Sequence, residues 1–315
     1  MQRKATRREF VVGGTVAALG TRWVGTGVAE ESGGAPKPLT SNKDTFGRKG
    51  GPRLKVSCCA YSFERLLRSG KMTMEQFVDR CAEMNLDGTE LTSYYFPKDA
   101  DREYFKQIRR RAFLNGLDVS GTAVGNHFTV PPGPDRDRQI ALVKTWIDNA
   151  VQIGAPCIRV FAGEVPKGST VEQARQWCVE CLNECLSYAT ERGVFLALEN
   201  HGGIVTTSDQ TLACVAAIAS PWFGLNLDTG NFREPDPYAA IAKTAPYAIN
   251  VHLKTEVTST SRGASPADYD RIAQILKSAG YRGYVSLEYE ASEDPQTGVP
   301  KHVRAIQAAV TKANA

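Results

Sequence analysis

Residues 194–199 read Val-Phe-Leu-Ala-Leu-Glu, an apolar run that stops on an ionisable side chain. A parallel strand covered on both faces reads as a nearly unbroken apolar run, so a carboxylate at its C-terminal edge faces a pocket instead of filling the core. The same ending recurs three times downstream. Phe-Gly-Leu-Asn-Leu runs into Asp228, Ala-Ile-Asn-Val into His252 and Tyr-Val-Ser-Leu into Glu288. The four lie roughly one strand-helix unit apart, the spacing expected if successive barrel strands deliver them to one mouth.

Outward from these runs, apolar strand-like stretches alternate with longer amphipathic ones eight times. Strands are expected at 55–60, 87–92, 117–123, 156–161, 194–199, 223–228, 250–254 and 283–288. Helices are expected at 73–84, 101–115, 135–153 and 170–192, then from a Ser208 cap. The last three are expected near 237–243, 266–279 and 300–312, each opened by a proline suited to a first turn. Eight units with no antiparallel hairpin signal leave a closed barrel or an open doubly wound sheet. Four consecutive strands can bring ligands together only where the sheet curves into a ring, and no GxGxxG follows the first strand. The expected fold is therefore an α/β (β/α)8 TIM barrel, a single domain over residues 54–315 of the 315.

The first fifty residues carry much of the positive excess in a net charge of only +4. That charge is too small and dispersed for a nucleic-acid surface, and no nucleic-acid partner is expected. Thr6 to Val12, with the Arg7-Arg8 pair, precede a weakly apolar run from Val11 to Gly20, the pattern of a twin-arginine export signal. The run is too short to span a bilayer, and Gly27-Val28-Ala29 offers a small-residue cleavage site. Residues 1–29 are thus expected to be a signal peptide without stable membrane insertion, 30–53 a disordered linker, and the protein periplasmic or otherwise exported. The eight cysteines do not suggest a disulfide framework. Cys178, Cys181 and Cys185 share one helix face, Cys58 and Cys59 point to opposite sides of a strand, and small buried thiols are expected.

Three carboxylates and one imidazole suit a hard or borderline divalent ion: Mg²⁺ or Mn²⁺ by the oxygens, with the single His also admitting Co²⁺, Fe²⁺ or Zn²⁺. A structural zinc site would use Cys or several His. Leu-Glu-Asn-His-Gly-Gly at 198–203, Asn-Leu-Asp-Thr-Gly-Asn at 226–231, Val-His-Leu-Lys at 251–254 and Leu-Glu-Tyr-Glu at 287–290 resemble the xylose-isomerase-like superfamily of sugar isomerases and epimerases. The ketose 3-epimerases are the clearest relatives by motif. The resemblance implies that Glu199, Asp228, His252 and Glu288 bind one divalent metal and that Glu199 and Glu288 form the acid/base pair. One departure stands out. Many relatives carry His three residues after the Asp ligand, whereas this chain has Asn231, which counts against the multi-metal apurinic endonuclease branch.

Metal chelation of a carbonyl and its neighbouring hydroxyl acidifies the C–H between them, and two carboxylates on opposite faces can move its proton. The leading expectation is an isomerase or epimerase acting on a small-molecule free sugar or keto-sugar, with a homo-oligomer left open. The alternatives are a lyase or dehydratase on an oxidised sugar, keto-inositol or 3-keto-glycoside, and a non-catalytic carbohydrate-binding barrel. The last would be expected to lose one glutamate. By position, His201, Asn231, Lys254, Arg159 and Glu90 are substrate-binding candidates, and His302 is expected to be a solvated surface residue.

Overall fold

The computed structural model describes residues 46–315. The signal-peptide reading of residues 1–29, and the linker reading up to residue 45, fall outside the described residues. Residues 46–53 run along the face where the barrel strands begin. There Arg48 Nη2 donates to Ala248 O at 2.7 Å and stacks 4.8 Å from the Phe46 ring.

Eight parallel strands close a barrel: β1 (Arg53–Cys59), β2 (Gly88–Thr92), β3 (Asp118–Ala123), β4 (Cys157–Val160), β5 (Phe195–Glu199), β6 (Phe223–Asp228), β7 (Ala248–Lys254) and, after a hairpin of β8 (Glu256–Ser259) and β9 (Gly263–Pro266), β10 (Arg282–Glu288). β10 pairs with β7 and β1, which closes the ring. The helices between strands are α1 (Glu64–Arg68), α2 (Met74–Glu83), α3 (Arg102–Leu114), α4 (Pro134–Ile153), α5 (Val171–Arg192), α6 (Ser208–Ala216), α7 (Pro237–Thr244), α8 (Tyr269–Ser278) and α9 (Pro295–Asn314). The architecture is the expected TIM barrel. Among the described residues no helix is long and apolar enough to cross a membrane.

Helix starts follow local chemistry more closely than the prolines suggested. Thr73, Thr170 and Thr207 each form a reciprocal capping box with a Gln three residues on, satisfying two otherwise orphaned amides at each start. The expected Ser208 cap is therefore Thr207, with Ser208 as the first helical residue. Pro237 opens its helix behind the Asp236 cap. Pro266 instead ends β9, and Asp268 caps α8. The last helix begins at Pro295 behind Asp294, so Pro300 lies inside it. A proline there cannot donate to the carbonyl one turn back; Arg80 Nη2 bonds that Gln296 oxygen at 3.4 Å. The β8–β9 pair, antiparallel in register Glu256↔Pro266, is a hairpin that the sequence reading missed.

Side-chain alternation divides the apolar core from the barrel interior. On β7, Val251 and Leu253 face the helices while Asn250, His252 and Lys254 turn inward; on β6, Leu225 and Leu227 alternate with Asn226 and Asp228, all buried. The layer outside the strands is continuously apolar. Phe77 of α2, fully buried, packs its ring 5.9 Å from Phe63, and Phe77→Ala should cost about 3–5 kcal/mol in chemical denaturation. All eight cysteines are buried and unpaired, and burial pushes the Cys157 and Cys185 thiols up to about 12. A thiol-specific colorimetric reagent should accordingly label none of the eight in the native protein and all of them in denaturant.

Candidate metal centre

Successive strand ends carry Glu199 (β5), Asp228 (β6), His252 (β7) and Glu288 (β10) into one buried volume at the C-terminal end of the barrel. Ligand atoms of Glu199, Asp228 and His252 lie within 4.8 Å of one another. Glu288 Oε1 stands 3.6 Å from His252 Nδ1, and Glu199 Oε2 stands 3.4 Å from it. The loop after β5 is clipped to β6, since Asn200 Nδ2 donates to the Asp228 carbonyl and the Asp228 amide donates to Asn200 Oδ1, both at 2.9 Å. Gly203, at positive φ, sits where a Cβ would fall 2.1 Å from the Gly163 oxygen, so only glycine lets this loop cross so close to the next one.

His252 and Glu199 are held from behind by a chain of contacts across the barrel floor. Glu90 of β2 reaches 162 residues along the chain to His252, its Oε1 2.6 Å from Nε2, and its Oε2 accepts from Asn250 Nδ2 at 3.0 Å. Asn250 Nδ2 also donates to Asn226 Oδ1 at 2.8 Å, and Asn226 Nδ2 donates to Glu199 Oε2 at 2.8 Å. With Nε2 committed to Glu90, the imidazole presents Nδ1 to the site, the orientation that a carboxylate behind a ligating histidine enforces.

Four buried carboxylates, Glu90, Glu199, Asp228 and Glu288, share the barrel interior with Arg159, Lys254 and His252. Burial opposes ionisation of Glu199 and Glu288, but Arg159 and His252 hold Glu199 low, and His252 and Lys254 hold Glu288 well below the usual carboxylate range. Burial wins at Asp228, which is raised well above its ordinary value despite Lys254. Burial disfavours charge on His252, yet Glu90 and Glu288 lift it well above the usual histidine range; metal binding would displace that proton. Asp228 Oδ2 and His252 Nδ1 are buried without a hydrogen-bond partner. Two orphaned donor atoms beside two carboxylates fit one divalent ion in a nitrogen-plus-oxygen set.

The five substrate candidates separate by position. Asn231 and Lys254 touch the site: Asn231 Nδ2 is 3.5 Å from Glu199 Oε1, and Lys254 Nζ donates to Asn231 Oδ1 at 3.2 Å. Arg159 Nε lies 3.2 Å from Glu199 Oε2, while its Nη1 donates to Tyr94 Oη and Val124 O, each at 3.2 Å. Its guanidinium also covers the Phe161 ring at 3.8 Å. His201 is exposed at the rim, its ring 4.5 Å from Phe161. Glu90 is different: both oxygens are engaged, by His252 and Asn250, and its side chain is fully buried behind the imidazole. Sequence reasoning missed Asn226, Asn250 and Glu290; the two asparagines were legible as polar interruptions at alternate strand positions. His302 is half-buried, not solvated, with Nδ1 2.7 Å from Tyr269 Oη. Cys59, whose Sγ lies 3.3 Å from Thr92 Oγ1, is pushed well above the usual thiol range by burial and packs the floor beside Glu90. Removing the charge behind the imidazole with Glu90→Gln should weaken Mn²⁺ or Co²⁺ binding about 10- to 100-fold, as read by calorimetric titration.

Comparison with known proteins places this geometry in context. Residues 78–309 match the xylose isomerase-like TIM barrel family. The rhizopine catabolism protein MocC of Rhizobium meliloti is 26% identical over 142 residues, which cover 38% of this chain and 43% of that protein. A solved L-ribulose 3-epimerase superposes with a TM-score of 0.67 at 18% identity, covering 83% of this chain and 96% of its own. The probable 3-DHS dehydratase AsbF, involved in petrobactin synthesis in Bacillus anthracis, gives 0.63 at 18% identity over 82% of this chain and 98% of its own. With most of the barrel inside the matched span, the chain belongs to the xylose isomerase-like TIM barrel family.

Proposed function

We propose that the protein is a divalent-metal-dependent isomerase or epimerase of a free sugar or keto-sugar, with Glu199 and Glu288 as its proton-transfer pair and Asp228 and His252 completing the ligand set. The observation that carries this reading is the convergence of both glutamates on His252 Nδ1, at 3.4 and 3.6 Å, beside Asp228 Oδ2, which accepts no hydrogen bond. A divalent cation held there would polarise a carbonyl, acidify the adjacent C–H and offset the negative charge that develops on oxygen.

The side chains supply the rest. Glu199 and Glu288 are both held ionised, so either can accept the proton from carbon, while the other, once protonated from solvent, returns one to the opposite face. Return to the same carbon inverts it; return to its neighbour exchanges aldose and ketose. Arg159 and Asn226 fix the Glu199 carboxylate, and Lys254 and Asn231 offer polar contacts to sugar hydroxyls. The barrel interior also favours an uncharged substrate. With His252 neutral and all four carboxylates ionised around a bound ion, the divalent charge together with Arg159 and Lys254 would balance them, leaving no surplus positive charge for a phosphate. That agrees with the export reading of the N-terminus, because exported enzymes meet unphosphorylated sugars.

The epimerase and dehydratase among the structural relatives support two outcomes of one proton abstraction, and a β-hydroxyl leaving group would turn the same site into a lyase. Incubating metal-loaded protein with free ketoses in D₂O distinguishes these cases. Deuterium should enter at the carbon beside the carbonyl. Glu199→Gln and Glu288→Gln should each reduce incorporation by about 10²- to 10⁴-fold. Full exchange in either variant would remove the two-carboxylate scheme, and sugar binding without exchange in the unaltered protein would identify a binding barrel instead.

A further inference from the structure

Lys254 leaves the end of β7 two residues beyond His252, and four oxygens surround its ammonium. Glu290 Oε2 is at 2.7 Å, Asn231 Oδ1 at 3.2 Å, and Asp228 Oδ2 and Glu288 Oε2 at 3.5 Å each. Two of these belong to the ligand set, and one, Asp228 Oδ2, accepts no hydrogen bond of its own. The ammonium is therefore the positive charge standing against the very atoms a divalent ion would take. Both cations cannot keep that position, because like charges a few ångströms apart in a buried site repel strongly.

The structure also provides somewhere for the ammonium to go. Glu290 follows the β10 strand end on the outer side of the mouth. Its side chain is 44% exposed against 11% for Lys254, and it lines the cavity of about 220 Å³ that also touches Asn231 and Arg233. The Lys254 stem packs against Gly230, where a Cβ would lie 2.8 Å from Lys254 Cδ, so a side chain at 230 would displace the stem. A four-carbon stem with a point charge at its end can move between partners at little cost in geometry.

Building on the single-metal reading above, we propose that Lys254 is a built-in counterion of the metal site and that Glu290 is the outer station which draws its ammonium away from Asp228 and Glu288 when a divalent ion loads. Lys254 then competes with the ion, and Glu290 relieves the competition.

The test is a double-mutant cycle on the full chain, stripped with chelator and titrated with Mn²⁺ while free ion is followed by electron paramagnetic resonance. Lys254→Met should tighten Mn²⁺ binding about tenfold, Glu290→Ala should weaken it about tenfold, and the double variant should bind like Lys254→Met. Thermal melts of each apo variant verify folding, with Lys254→Gln replacing the Met variant if that one melts early. Equal weakening by Glu290→Ala in both backgrounds would make Glu290 a simple negative charge near the ion and overturn the proposal, as would unchanged affinity in the Lys254 variants. If the unaltered protein binds no Mn²⁺, the single-metal reading itself fails; binding without coupling between the two positions sinks only the counterion role.

Discussion

The crowding of four buried carboxylates inside the barrel is the constraint from which the rest of this structure follows. A buried carboxylate must be paired, hydrogen-bonded or neutralised, and here four of them share an interior with one guanidinium, one ammonium and one imidazole. Three are accommodated by protein groups: Glu90 by His252 and Asn250, Glu199 by Asn226 and Arg159, Glu288 by His252 and Lys254. Asp228 is the residue left over. Its outer oxygen accepts no hydrogen bond, with the Lys254 ammonium 3.5 Å away, and burial raises its carboxyl well above the ordinary range, so this is the atom best placed to meet a cation.

Rigidity comes from where these groups are mounted. Every ligand candidate sits near the C-terminal end of a barrel strand, and Glu199 and His252 are backed by polar side chains from neighbouring or opposite strands, which fixes their orientation before any ligand arrives. The contacts that can rearrange are at the rim. Glu290 lies just past β10, His201 stands exposed over Phe161, and the β8–β9 hairpin follows directly on β7. A firm floor under a polar mouth is the division that lets one scaffold keep its interior constellation while the rim varies.

Much of the floor was readable because strand periodicity is local. An ionisable residue closing an apolar run points to a barrel mouth, and four such endings separated by helical stretches led to the correct closed barrel. The reading was incomplete where it treated the strands as uniformly apolar. Asn226, Asn250 and Ser286 occupy the alternate, inward positions, so the interior is polar and only the outer face is continuous core. Proline was also weighed too heavily as a helix opener at residues 266 and 300, where the acidic caps Asp268 and Asp294 decide the start.

By itself, then, the chain determined which side chains end up at strand termini and in what order, because side-chain alternation and strand-helix spacing depend only on near neighbours. Only the tertiary structure decided which of them act on each other. Glu90 becomes the support of His252, and Lys254 is held between the ligand set and Glu290, through contacts between residues 36 to 162 positions apart. Ring closure creates those contacts, since a curved sheet brings opposite strands within hydrogen-bonding reach, and no local pattern in the polymer records which residues will meet.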